Sequence, residues 1–114
     1  MSHTKKREES YLQMTNDQKA LNMLGLAMRA GKLVTGEEMT IQDIRRQKSK
    51  LVFVASDASE NTRKKIQDKS SHYEVTCLES FTHEELSQAI GKARMVIGIN
   101  DQGFAKKIKE LILG

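Results

Sequence analysis

Two rhythms of apolar positions alternate along the chain. Thr15-Asn16-Asp17-Gln18 has the form of a capping box, in which a hydroxyl takes an early helix N–H and the Gln reaches back to the cap. A helix follows with Leu21, Leu24 and Met28 on one face, and Gly31 can end it in the left-handed conformation. Leu33–Thr35 is a short strand broken by Gly36, and a second helix runs from about Glu37 to Gln47 with Thr40, Ile41 and Ile44 inward. Leu51–Ala55 is a continuous apolar run of strand length, the pattern of a central strand covered on both faces. Asp57, with Glu60 three residues on, is read as opening a third, mostly polar helix whose one strongly apolar residue is Ile66. Val75–Leu78 is a third strand. Thr82 and Glu85 form another capping box, flanked by Phe81 and Leu86 at the positions of a hydrophobic staple. The short helix so opened carries Leu86, Ala89 and Ile90 and ends at Gly91. Arg94–Ile99 is the last strand. A final helix from about Asp101 sets Phe104, Ala105, Ile108, Leu111 and Ile112 on one stripe, with Lys106, Lys107 and Lys109 away from it.

Strict alternation of helix and strand predicts an α/β domain with a central sheet, mainly or partly parallel, and helices on both faces. With 114 residues and neither a repeat nor a low-complexity tract, the chain reads as a single domain over residues 15–114. Residues 1–14 lack apolar periodicity and are read as a flexible arm.

Composition narrows the function classes. Nothing approaches the roughly 20 apolar residues of a membrane span, and MSHTKKREES lacks the apolar centre of a secretory signal. A cytoplasmic protein is therefore expected. One cysteine, Cys77, excludes an internal disulfide, and His3, His72 and His83 are too scattered to suggest a metal site. The net charge is +4, from 19 basic and 15 acidic residues. Between Arg29 and Lys50 stand six basic residues against Glu37, Glu38 and Asp43. Such a segment suits a polyanionic partner, although an ordinary solvated face has the same charge pattern.

Catalytic chemistry finds little support. The seven glycines form neither GxGxxG nor GxxxxGK[ST], so no phosphate-cradling loop is present, and spacing suggests no nucleophile set. Asp57 follows a buried strand, as the phosphoacceptor does in response-regulator receivers. That chemistry needs Mg²⁺ and an acid cluster at the end of the first strand, where this chain has Leu33-Val34-Thr35-Gly36. A helix cap is the simpler account of Asp57. Adjacent Glu37 and Glu38 likewise offset a helix dipole. Cys77 is expected to pack as a small apolar residue, and Met23, Met28 and Met39 to lie in the core or on partly buried surface.

From Leu24 onward, the strings LGLAMRAGKLVTGEE, KLVFVASDASENTRKKI, LSQAIGKARMVIGI and DQGFAKKI resemble a bacterial branch of the ribosomal-protein family typified by archaeal L7Ae and eukaryotic L30e. The likeness covers about four fifths of the chain. It implies a three-layer α/β/α sandwich around a four-stranded mixed sheet, which agrees with the element order. It also implies binding of structured RNA, often the kink-turn, a sharply bent helix with tandem sheared G·A pairs. In the kink-turn binders a Gly after the first strand is followed, one residue later, by Asn-Glu-x-x-Lys. Gly36 matches that Gly, and Lys32 a basic residue at the start of the strand. Glu38 stands in place of Asn, Met39 of Glu and Gln42 of Lys. The second family contact, the loop before the last strand, is here Ile90-Gly91-Lys92-Ala93-Arg94.

The resulting expectation is a non-enzymatic, cofactor-free monomer that binds structured RNA, ribosomal RNA included, as a ribosome-associated or RNA-processing accessory. Lys32, Arg45, Arg46, Lys92 and Arg94 would contact phosphates. Gly36 would permit close approach of the backbone, with Glu37 beside it, and Glu38 and Gln42 would face base edges. The competing expectation is a protein-interaction module of the same fold that has lost RNA affinity, favoured by the departures at Glu38, Met39 and Gln42.

Overall fold

The computed structural model describes residues 13–114, so most of the arm expected over residues 1–14 lies outside the described residues. The described chain runs α1 (Asn16–Arg29), β1 (Leu33–Thr35), α2 (Glu37–Arg45), β2 (Leu51–Val54), α3 (Glu60–His72), β3 (Cys77–Leu78), α4 (His83–Ile90), β4 (Val96–Ile99) and α5 (Gln102–Leu113). Both capping boxes form. The Thr15 amide donates to Gln18 Oε1 at 2.8 Å while the Gln18 amide donates to Thr15 Oγ1 at 3.1 Å, and Thr82 and Glu85 repeat the exchange. Phe81 and Leu86, the staple pair, are both buried.

The strands lie in the order β1-β4-β2-β3. β4 is antiparallel to β1 and to β2, and only the β2–β3 pairing is parallel. The sheet is thus mixed, and the mainly parallel arrangement is ruled out. β2 is interior, as its apolar run requires, with all four of its residues buried. One helix layer holds α1, α4 and α5, packed on one another through α1, and the other holds α2 and α3. Between them the core joins Leu24, Phe53, Phe81, Leu86, Ile97 and Ile108 from one side to Ile44 and Ile66 from the other. The Phe53 and Phe81 rings pack 5.6 Å apart.

Several boundaries differ from expectation, each for a local reason. Asp57 does not cap α3. Ser59 does, accepting the Thr62 amide at 3.2 Å, and Asp57 Oδ1 instead accepts the His83 amide at 2.8 Å, bracing the start of α4. α2 stops at Arg45 because Gln47 takes a left-handed conformation (φ 59°) and the Lys48 amide bonds to the Asp43 carbonyl. Val75 is lost from β3 because its N–H turns back to Ser70 O, at 2.8 Å. Arg94 is lost from β4 because its N–H is held by Ser87 Oγ at 3.1 Å. Met39 is 57% exposed, so it belongs neither to the core nor to partly buried surface.

Gly98, in the middle of β4, lets α2 lie close on the sheet. A Cβ there would stand 2.6 Å from Ser49 Oγ, 2.9 Å from Val34 Cγ2 and 3.2 Å from Thr40 Cγ2. Ser49 is itself fixed by a buried 2.6 Å hydrogen bond from its hydroxyl to Asp43 Oδ2. Overpacking of this kind costs about 1–3 kcal/mol. Gly98→Ala is therefore expected to lower the denaturant midpoint by a corresponding amount with an unchanged slope, and a midpoint equal to that of the unmodified protein would refute this account of α2 packing.

Candidate nucleic-acid interface

β1 delivers the chain to Gly36, which adopts φ 95° and ψ 155°, a backbone that glycine tolerates and L side chains rarely adopt. The Gly36 amide donates to Val96 O at 2.8 Å, so the start of α2 lies beside the start of β4. Gly36 is the N-cap without offering a side chain, and the first-turn amides of α2 receive no side-chain cap. Glu37 and Glu38 sit in that turn. Their surroundings differ. Glu37 Oε1 lies 3.7 Å from Lys65 Nζ on α3, whereas Glu38 is exposed and has no ion-pair or hydrogen-bond partner among the described residues.

Helical spacing lines up Glu38, Gln42, Arg45 and the C-capping Arg46 on one exposed face of α2. Beside this junction runs the loop from Gly91, whose left-handed conformation (φ 79°) ends α4. Ser87 Oγ clasps the loop, accepting the Arg94 amide, and the Arg94 guanidinium donates to Ala93 O at 2.9 Å. Lys92 is exposed on the loop. Of the residues expected to act together, the structure gathers Gly36, Glu37, Glu38, Lys92 and Arg94 near one end of the sheet, and Gln42, Arg45 and Arg46 lead away from it along α2. Lys32 stands apart. Its carbonyl accepts the Asn100 amide at the opposite end of β1, four residues and roughly 13 Å from Gly36.

Two residues missed from sequence belong to this end. Met39, in the first turn of α2, and Met95, immediately before Val96, are 57% and 40% exposed. They flank the Gly36–Val96 hydrogen bond in sequence and make an unusual apolar exposure beside charged residues. Met39 could have been found from its helical phase, since it lies off the Thr40–Ile44 face. Met95 could not, because the strand alternation that would bury it begins one residue later.

A family model described as the ribosomal protein L7Ae/L30e/S12e/Gadd45 family matches residues 18–109. The chain belongs to the L7Ae/L30e/S12e/Gadd45 ribosomal-protein family. It is 68% identical over 99 residues to the RNA-binding protein YlxQ of Enterococcus faecium, covering 87% of this chain and 96% of that protein. Identity to the RNA-binding protein YlxQ of Bacillus subtilis strain 168 is 45% over 91 residues, covering 79% and 91%. A solved structure of a Bacillus halodurans protein superposes with a TM-score of 0.81 at 40% identity, over 84% of this chain and 98% of that one. The Giardia lamblia 15.5kD RNA binding protein shares the fold, with a TM-score of 0.74 at 16% identity over 84% and 83%. The bacterial branch of the L7Ae-type family indicated by the sequence strings is therefore the right one.

Among the described residues no group of three or more metal-ligating side chains comes together, and no helix is long and apolar enough to cross a membrane. The thiol of Cys77 is a poor nucleophile. Burial pushes it from an ordinary 9.0 up to about 11, against the lowering effect of Ser70 and with a further push from Glu79. At pH 8 this leaves on the order of 100-fold less thiolate than in an unfolded chain. Native protein should thus react with a thiol reagent far more slowly than urea-unfolded protein. Because the unfolded thiol ionises first, the contribution of Cys77 to stability is intact below pH 9.0 and is lost as pH rises through about 11. Equal labelling rates in the native and unfolded states would show that the thiol is not protected.

Proposed function

We propose that this protein binds folded RNA at the end of the sheet marked by Gly36, as a monomeric, cytoplasmic, ribosome-associated or RNA-processing accessory with no catalytic step. The observation that carries the reading is the 2.8 Å bond from the Gly36 amide to Val96 O, which sets a helix start with a glycine N-cap beside the basic loop. Backbone amides that no side chain caps at a helix start favour phosphate, and Lys92 and Arg94 supply charge from the adjacent loop. The names of the YlxQ relatives, at 68% and 45% identity, point the same way.

The target is a structured element with unpaired bases, akin to a kink-turn but read differently. Glu38 is an exposed carboxylate without a partner in the protein, and it can accept hydrogen bonds from guanine N–H groups. Glu37 is engaged by Lys65 and contributes less to the local negative field. Gln42, one turn along, offers both donor and acceptor. Met39 and Met95 give an unpaired base an apolar surface, a role that stacking aromatics fill elsewhere. Arg45 and Arg46 extend phosphate contacts along α2. Lys32, at the far end of β1, cannot share a nucleotide with Gly36 and belongs to a separate contact.

Replacing Lys92 and Arg94 together by Ala should weaken binding to any RNA and flatten its salt dependence, since each lost phosphate contact removes a released counterion. Glu38→Ala should act selectively, weakening binding to a preferred RNA obtained by selection by about 1–3 kcal/mol, by analogy with base readout in DNA. Weak binding to unrelated RNA should change little. Equal, small changes on both RNAs would refute a reading role for Glu38. Absence of RNA binding by the unmodified protein at low salt would replace this function with that of a protein-interaction module.

A further inference from the structure

The end of the sheet opposite Gly36 carries a second cluster of cations. The Asn100 amide donates to Lys32 O at 3.1 Å and the Lys50 amide to Ile99 O at 2.7 Å, so Lys32 and Lys50 flank the point where β4 ends and α5 begins. α2 also ends on this side, since the chain from Arg45 to Lys50 leads straight into β2 opposite Ile99. Between Lys50 and the exposed side of α5 lies a cleft of about 290 Å³ lined by Lys50, Gln102, Ala105, Lys106 and Lys109. No acid lines it. Lys50 Nζ donates to Gln47 O at 3.3 Å, which holds one ammonium at the rim. Lys106 and Lys109 form no ion pair among the described residues. Of the nearby acids, Asp101 accepts the Phe104 amide at 2.9 Å as the α5 cap, Asp43 accepts from Ser49, Glu74 lines a separate hollow with Lys50, and Glu110, one turn beyond Lys106 on α5, is exposed and does not line the cleft.

We infer that this lysine cleft is a second phosphate-binding site, which takes the phosphodiester backbone of RNA extending from the first. Three ammonium groups and an amide stand around a cleft whose remaining lining is Ala105 and the lysine stems, and these four polar heads match phosphate oxygens, which carry charge and acceptors. A protein partner would call for an apolar centre with a polar rim, and none of the exposed large hydrophobic residues (Leu26, Met39, Met95, Leu113) lines the cleft. Arg45 and Arg46, at the end of α2, bridge the two ends of the sheet with positive charge. The inference extends the RNA-binding reading but rests on different residues, so the two can fail separately.

The test compares a random-sequence RNA duplex titrated over a range of salt with the unmodified protein, with the Lys50→Gln/Lys106→Gln/Lys109→Gln variant, and with the Lys92→Ala/Arg94→Ala variant. The lysine variant should lose roughly tenfold in affinity at moderate salt, and its slope of log K against log salt should fall by about 2–3. All three lysines are exposed, so folding should be unaffected, with circular dichroism as the check. A slope equal to that of the unmodified protein overturns the second site, whatever the loop variant does. An effect of the lysines without one from Lys92 and Arg94 upholds this site and rejects the Gly36 site. Sodium tripolyphosphate, titrated against the amide signals of the unmodified protein, decides the cleft independently of any RNA. Shifts centred on Lys50, Lys106 and Lys109 support it, and their absence overturns it. Competition by polyglutamate as effective as that by duplex RNA would overturn the assignment to RNA in favour of an acidic protein.

Discussion

The insertion of β4 between β1 and β2, antiparallel to both, is the constraint on which the rest of the molecule depends. β4 is the last strand made, yet it occupies the interior of the sheet. Its carbonyls and amides fix the neighbours at both ends: Val96 O holds the Gly36 amide, Met95 O the Ala55 amide, Ile99 O the Lys50 amide, and the Asn100 amide is held by Lys32 O. Without β4, β1 would have no partner in the sheet, and α2 would lose one of the elements it packs on. The pairing is non-local, so its chain-closure cost falls due before its contacts form. The reward is four consecutive buried residues, Val96–Ile99, that complete the core from both faces.

Because β4 is flanked on both sides, one residue on it can set the height of a helix. Gly98 does this for α2. The absence of a side chain brings Thr40 and Ser49 against the strand, and the Asp43–Ser49 hydrogen bond ties the end of α2 to the turn before β2. The geometry of the candidate interface is thus inherited from the core. Gly36 can serve as a glycine N-cap here only while α2 lies flat and Gly36 itself is tethered to Val96. Packing and the candidate interface thus rest on the same few residues, with Gly36 supplying a conformation and Gly98 supplying space.

Much of this was legible in the chain, and the failures have particular causes. Thr15 with Gln18, and Thr82 with Glu85, located two helix starts because capping chemistry is local. Leu51–Val54 was recognisable as central because nothing polar interrupts it. Asp57 was misassigned because two candidate caps, Asp57 and Ser59, stand two residues apart. The one that faces α4 is chosen by a fold contact across 26 residues. The stop of α2 was missed because Gln47, not glycine, takes the left-handed turn. The candidate site was half visible. Family likeness pointed to Gly36, Glu38 and the Lys92–Arg94 loop as candidates. Only strand order shows that Lys32 sits at the other end of the sheet, beside Lys50, and that lysines 56 and 59 residues beyond Lys50 share a cleft with it.

The separation of charges between the two ends has a physical consequence. A helix start that attracts anions is weakened as an attractor when two carboxylates occupy its first turn. Here one of them, Glu37, is offset by Lys65, which leaves Glu38 as the unpaired carboxylate of a turn whose amides no side chain caps. On the proposed reading such a surface discriminates better than it attracts. The basic loop, the arginines ending α2 and the lysines near Asn100 lie around it and can hold a polyanion without regard to sequence. On the proposed reading, affinity and selectivity are therefore carried by different parts of the molecule. Phosphate contacts spread over both ends of the sheet position the RNA, and the sparsely charged junction at Gly36 tests the bases that are brought to it.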